Sequence, residues 1–200
     1  MTAQFPDHCI LDSTTYVLAG IHGTPLFEPT LFDLSPASVI SACWHGYTCT
    51  YAIISQQIQL KTLEVILGEF IGERRQRTFV PHQGPVINGS VPRFTTEPSA
   101  LFNNFYTDLS LDIPFTGGLL LADGFIEDLY VHMGFHPAWK YTTVIEIICE
   151  AGTVVNKRDV SQRIAEIRSE RLRKPLKPGK IEQEELKSWI ESTFRRDYEL

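Results

Sequence analysis

The sequence predicts an α+β protein: an antiparallel β-sheet or partly open barrel body over residues 1–156, followed by a helical extension over 157–200 that packs on it. Three observations carry this expectation. Runs of β-branched and aromatic residues, punctuated by Gly, Pro, Asn and Asp, fill roughly the first 155 positions. The apolar spacing then changes from every second residue to every third or fourth. Finally, 200 residues with 43% apolar and 21% charged side chains suffice to bury a core without disulfides or metal.

Thr14–Ala19 is the first strand-like run and stops at Gly20-Ile21-His22-Gly23. Residues 25–41 hold three prolines and read as loop or short helix. The strongest hairpin signal joins Tyr47–Ile54 to Ile58–Leu67 through Ser55-Gln56-Gln57, its second arm alternating apolar and polar residues as a half-buried strand does. Gly68–Gly84, with Arg74-Arg75-Gln76-Arg77 in its middle, reads as an exposed loop or short helix. Asn88-Gly89 marks a tight turn. Phe102–Asp112, Gly117–Asp123 and Thr142–Cys149 complete the predicted strands.

Two helices are expected after residue 156. Asn156 or Asp159 would cap the first, whose apolar positions Val160, Ile164 and Ile167 share a face. Pro175 and Pro178-Gly179 end it. Ile181–Arg196 would form the second, with a stripe of Leu186, Trp189, Ile190 and Phe194. Such a helix is marginal alone and is expected to dock on the sheet or on a second copy.

Charge is divided unevenly. Residues 1–150 carry 6 Lys and Arg against 15 Asp and Glu, a balance of −9, and residues 151–200 carry 12 against 9, or +3. An acidic body repels phosphate backbones and draws basic protein partners. Residues 157–180 are the one basic segment, but they lack the interleaved aromatics that stack on bases. Nucleic acid is therefore not the expected partner.

The four cysteines (Cys9, Cys43, Cys49 and Cys149) form no CxxC and lie in or beside apolar stretches, as reduced, buried thiols of a cytoplasmic protein do. Residues 1–8 contain no basic or apolar leader pattern. No apolar run approaches the ~18 residues of a membrane span.

Chemistry-bearing motifs are sparse. No GxGxxG, GxxxxGK[ST] or GxSxG occurs. His132-x3-His136 has the most metal-like spacing, yet Gly134 and Pro137 oppose a regular helix, and no glutamate follows His132. A third ligand would have to come from a residue such as Asp123 or Asp128. The expectation is no metal ligand, no cofactor and no catalytic residue. Cys43 and His45 are neighbours without an orienting third group. Trp44-His45-Gly46-Tyr47 reads either as core filling around a glycine bend or as a recognition loop, since Trp and Tyr anchor interfaces. The candidate binding residues are Trp44, His45, Tyr47, His132, His136 and Trp139.

In order along the chain stand Pro25-Leu26, Trp44-His45-Gly46-Tyr47, Tyr51-Ala52-Ile53, Ile58-Gln59-Leu60, Thr116-Gly117-Gly118-Leu119 and His132-Met133-Gly134-Phe135. This series resembles an uncharacterised family of small bacterial proteins with a Trp-Arg-Gly-Tyr loop, a hairpin and a His-Met-Gly-Tyr loop. It departs from that pattern at His45, where the family has Arg, and at Tyr51, where it has Trp. The resemblance spans roughly residues 9–160 and implies one compact bacterial domain without implying an activity.

The functional expectation is a non-enzymatic, cytoplasmic protein-binding module, monomeric or homodimeric. An acidic immunity or inhibitor partner of a basic effector is the particular form it suggests. The alternatives are a metal-dependent hydrolase using His132 and His136, or a nucleic-acid accessory protein working through residues 157–180.

Overall fold

The computed structural model describes residues 2–73, 77–173 and 198. Its strands are β1 (His8–Leu11), β2 (Thr14–Gly23), β3 (Tyr47–Ile54), β4 (Gln57–Val65), β5 (Gly68–Ile71), β6 (Thr78–Pro81), β7 (Arg93–Phe94), β8 (Asn104–Tyr106), β9 (Leu111–Asp112), β10 (Gly117–Phe125), β11 (Tyr141–Glu150) and β12 (Thr153–Asp159). One α-helix follows, α1 (Ser161–Arg173). No helix of the described residues is long and apolar enough to cross a membrane.

The main sheet runs β12-β11-β10-β2-β1-β3-β4-β8-β7. Among the described strands of this sheet, β1 and β3 pair in parallel and the other pairs are antiparallel. The sheet curls until β12 meets β4 at Thr153 and Gln57. There Val154 N–H donates to Gln56 O (2.7 Å) and Ile58 N–H to Gly152 O (2.9 Å), which joins one corner of a ring. Two-residue turns drive the local pairing. Asp12-Ser13 (φ 49° and 66°) links β1 to β2, and Ser55-Gln56 (φ 49° and 67°) links β3 to β4. Both residues of each turn are left-handed, the geometry that matches strand twist.

Alternation along the strands sorts side chains between two layers. Leu119 and Leu121 of β10 and Ile147 and Cys149 of β11 point to the ring interior, beside Leu18, Leu60, Leu63 and Phe115. Leu120, Ala122 and Val144 point outward, where Val160, just before α1, and Ile164 of α1 cover them. Asp159 Oδ1 accepts the Ser161 N–H (2.8 Å), so Asp159 rather than Asn156 supplies the expected cap. Tyr198 returns to this outer layer. Its ring lies over Gly20 and Gly118, where a Cβ at Gly118 would fall 2.1 Å from the Tyr198 Oη.

The expectation of an α+β body is corrected: the described residues are mostly β, with 47% strand, 13% helix and a single α-helix. Of the two helices, the one expected over 181–196, with Trp189, lies outside the described residues. Two segments move the balance. Gly68–Gly84, expected as loop or short helix, contains the β5–β6 hairpin, with Phe70 against Phe79 (5.3 Å between centroids). Lys157, Arg158 and Asp159, expected at the start of a helix, are strand residues opposite Ile147, Glu146 and Ile145. Local propensity is a weak prior there: the open edge of β11 offers hydrogen bonds and a carboxylate partner that a free helix lacks. Arg158 pairs with buried Glu146, and Lys157 pairs with Asp12.

All four cysteines are free and buried. Burial pushes the Cys9 thiol up to about 12, with Cys149 adding to the effect, and Cys149 up to about 11. Thiolate is the reactive form, so a thiol reagent should find almost no reactive sulfhydryl in the native protein and four after denaturation. A count below four in the unfolded, never-oxidised chain would refute the reduced state.

Candidate functional site

The Trp44-His45-Gly46-Tyr47 loop leads into β3. Gly46 takes φ +73°, and a Cβ there would lie 2.6 Å from Ala37 O, so the bend requires glycine. Tyr47 packs on Phe27 (5.7 Å, edge-on), which is the core-filling reading. Trp44 does the opposite: it is 46% exposed, and its N–H donates to Gln4 Oε1 (3.0 Å). Cys43 is no partner for His45 as a nucleophile. Its Sγ donates to Tyr47 O (3.2 Å), and burial holds its thiol above the usual range.

The structure brings this loop to the His132–His136 loop. His45 stacks on Phe135 at 6.1 Å with the ring planes 18° apart. The N-terminal segment stitches the two together. Gln4 N–H donates to Gly134 O (2.9 Å), Gly134 N–H to Thr2 O (3.3 Å) and Phe5 N–H to Ala42 O (2.9 Å). Gln4 Nε2 donates to Ser41 O (2.8 Å).

His132 and His136 each have a different hydrogen-bond partner. His132 Nδ1 meets the Tyr130 hydroxyl at 2.9 Å. His136 Nδ1 meets Lys140 Nζ at 3.3 Å. The His136 ring is wedged against Phe125 (4.8 Å) and Tyr130 (5.2 Å). Burial, reinforced by the Lys140 charge, lowers its pKa from 6.5 to about 4. A neutral ring therefore accepts the Lys140 proton. Among the described residues, no group of three or more His, Cys, Asp or Glu is placed to hold a metal.

Lys140 is the residue that sequence reasoning missed. Only 6% of it is exposed, and burial lowers its pKa. Among the described residues no carboxylate pairs with it. Its neighbour Trp139 faces it at 5.5 Å and faces Arg171 at 5.8 Å. Arg168 of α1 clamps the segment, donating to Trp139 O (2.7 Å) and Tyr141 O (2.6 Å). A lone lysine within Ala138-Trp139-Lys140-Tyr141 was the available signal, because a cation in an apolar run must find a partner or surrender its charge.

The basic segment is largely occupied within the chain. Arg163 pairs with Glu166, while Lys157, Arg158, Arg168 and Arg171 have the contacts given above. Lys174, Lys177 and Lys180 lie outside the described residues. Exposed carboxylates gather instead at Asp123, Glu127 and Asp128, next to Tyr130 (51% exposed) and Val131 (41%). A separate open groove of about 350 Å³ is lined by Phe5, His8, Thr50, Glu64 and Leu101 among others. None of the candidate residues borders it.

Comparison with protein-family models, with curated proteins and with solved structures finds no significant match. The bacterial resemblance therefore rests on its motifs alone, and the function has to be argued from the site.

Proposed function

We propose that the protein is a non-enzymatic, cytoplasmic protein-binding module, of the immunity or inhibitor type, whose partner is a basic protein. The observation that carries this reading is the 123–132 segment. It presents exposed Tyr130 and Val131 beside the carboxylates Asp123, Glu127 and Asp128. An aromatic anchor bordered by charge is the composition of a binding hot spot and its rim. The −9 balance of residues 1–150 adds long-range attraction for a cationic partner. Four buried free thiols support a reducing compartment.

Affinity capture from the source cells, at low and at high salt, tests the reading. A stoichiometric basic protein is expected at low salt and released at high salt. Tyr130→Ala should weaken its capture by roughly tenfold or more, as loss of a hot-spot aromatic does. An Asp123→Asn, Glu127→Gln, Asp128→Asn variant should slow association and flatten the salt dependence. A partner indifferent to salt and to Tyr130→Ala would overturn the proposal.

A further inference from the structure

The open groove of about 350 Å³ lies over β1, β3 and β4, at the small end of the roughly 300–1,000 Å³ that ligand pockets span. Strand register sets its floor. His8 stands opposite Thr50, Thr50 opposite Thr62, and Thr48 opposite Glu64, and residues paired across strands share a face of the sheet. Their chain neighbours Cys9, Cys49 and Leu63 face the core instead, so the floor is the outer face of a rigid sheet. Phe5 and Phe102 make the wall, with ring centroids 6.4 Å apart and planes tilted by 55°. Exposed Leu101 makes the rim.

Glu64 is the uncompensated group of this floor. It is half-buried, and none of the ion pairs among the described residues includes it. The hydrogen bond it accepts from the Thr48 hydroxyl, at 3.5 Å, is long for a hydroxyl donor. Arg93 lies two strands away, in register with Glu64 through Phe105, but its guanidinium is held over the Phe105 ring at 4.0 Å. No lysine or arginine stands among the described residues that line the groove. A half-buried carboxylate without countercharge, open to solvent, draws a cation, and the −9 balance of residues 1–150 adds to the attraction. The same charge repels carboxylate and phosphate ligands.

The acceptors on the floor select the kind of cation. A primary ammonium has three donors and no acceptor, and the floor presents the Glu64 carboxylate beside the hydroxyls of Thr48, Thr50 and Thr62. A quaternary ammonium would leave those acceptors unused. Phe5, Phe102 and Leu101 suit an apolar body, and aromatic faces favour positive charge nearby. We infer that the groove is a binding site for a small arylalkyl ammonium ion, held by Glu64 at its charge and by Phe5 and Phe102 along its body. The groove shares no residue with the 123–132 surface, so amine binding and protein binding are independent of one another.

Phenethylamine is the probe, titrated at neutral pH into the full chain and followed by calorimetry and by backbone amide shifts. An alkylamine stays protonated there, as a lysine does. One molecule per chain should bind, with the largest shifts at Thr48, Thr50, Thr62 and Glu64. Phenethyl alcohol, with the same body and no charge, should bind about tenfold more weakly or worse, the factor that loss of a hydrogen bond to a charged group gives. Phenylacetate should show no binding. Glu64→Gln should erase the preference for amine over alcohol and leave alcohol binding unchanged. Amine, alcohol and acid are compared on the parent chain, so the outcome does not hang on how a variant folds. Equal binding of amine and alcohol would overturn the inference. So would no amine binding, or amine shifts confined to the exposed carboxylates of the 123–128 segment.

Discussion

Acidification from pH 6.5 to about 4 should destabilise the fold by about 2–3 kcal/mol through His136 alone. The unfolded chain binds a proton at His136 near pH 6.5, whereas the folded chain resists it until about 4. Between those values the unfolded state holds more protons, so stability rises with pH across the window and falls as pH drops. Below about 4 both states are protonated and the full penalty has been incurred. Lys140 acts in the same direction in its own range. Its lowered pKa makes stability rise with pH as the solution approaches the ordinary lysine value of 10.5. Urea unfolding at a series of pH values, in the parent and in His136→Gln, measures the effect. The variant should show a visibly flatter acid limb, and identical limbs would refute the buried, neutral imidazole.

Asn104→Leu should cost about 3 kcal/mol and loosen one arm of the molecule ahead of the rest. Asn104 has no exposed surface. Its Oδ1 accepts the Gly84 N–H (2.7 Å), and its Nδ2 donates to His82 O (3.0 Å) and Asn103 Oδ1 (2.8 Å). Asn103 in turn accepts the Leu67 N–H (2.9 Å) and donates to Leu67 O (2.8 Å). Leu67 and His82 bracket the β5–β6 hairpin, so the two amides hold both of its ends. The hairpin forms a sheet of its own, with Phe70, Ile71 and Val80 exposed and Phe79 packed on the Cys43, Ile66 and Phe102 cluster. A leucine in place of Asn104 removes the acceptor of the half-buried Gly84 N–H and the donor to His82 O and Asn103 Oδ1, losses worth about 1–3 kcal/mol where water cannot replace them. Hydrogen exchange at Gly84 and within 68–81 should accelerate more than exchange in β10 or β11. A variant that melts within about 1 kcal/mol of the parent, with uniform exchange, would show the amides to be dispensable.

Much of the sheet was legible in the residues. The β-branched and aromatic run Tyr47–Ile54, the Ser55-Gln56-Gln57 turn and the alternation that follows Ile58 make the β3–β4 hairpin readable from local sequence. Gly117–Asp123 and Thr142–Cys149 are recognisable as β10 and β11 because they are short apolar runs bounded by turn residues. The 68–84 arm was not, because glycine, arginine and glutamate dominate it and its anchors, Asn103 and Asn104, lie some twenty residues downstream. Amide side chains carry no periodic signal, and a hydrogen bond at that separation leaves no trace in local composition.

The candidate site divides in the same way. Trp44, His45, Tyr47, His132, His136 and Trp139 could be singled out by residue type. Their grouping into two contacting loops could not, because the His45–Phe135 stack and the Gln4 and Thr2 bonds to Gly134 join positions some ninety to one hundred and thirty residues apart.

By itself, then, the chain determined a strand-rich body, a helix cap at Asn156 or Asp159, an apolar stripe through Val160 and Ile164, and reduced cysteines, all set by local spacing and burial preference. Tertiary structure alone decided that residues 157–159 join a sheet, that the sheet curls to meet itself at Thr153 and Gln57, and that Lys140 is buried against a neutral His136, with no carboxylate paired to it among the described residues. Each of these outcomes depends on which distant group supplies a hydrogen bond or withholds a countercharge, and only the packed chain specifies that.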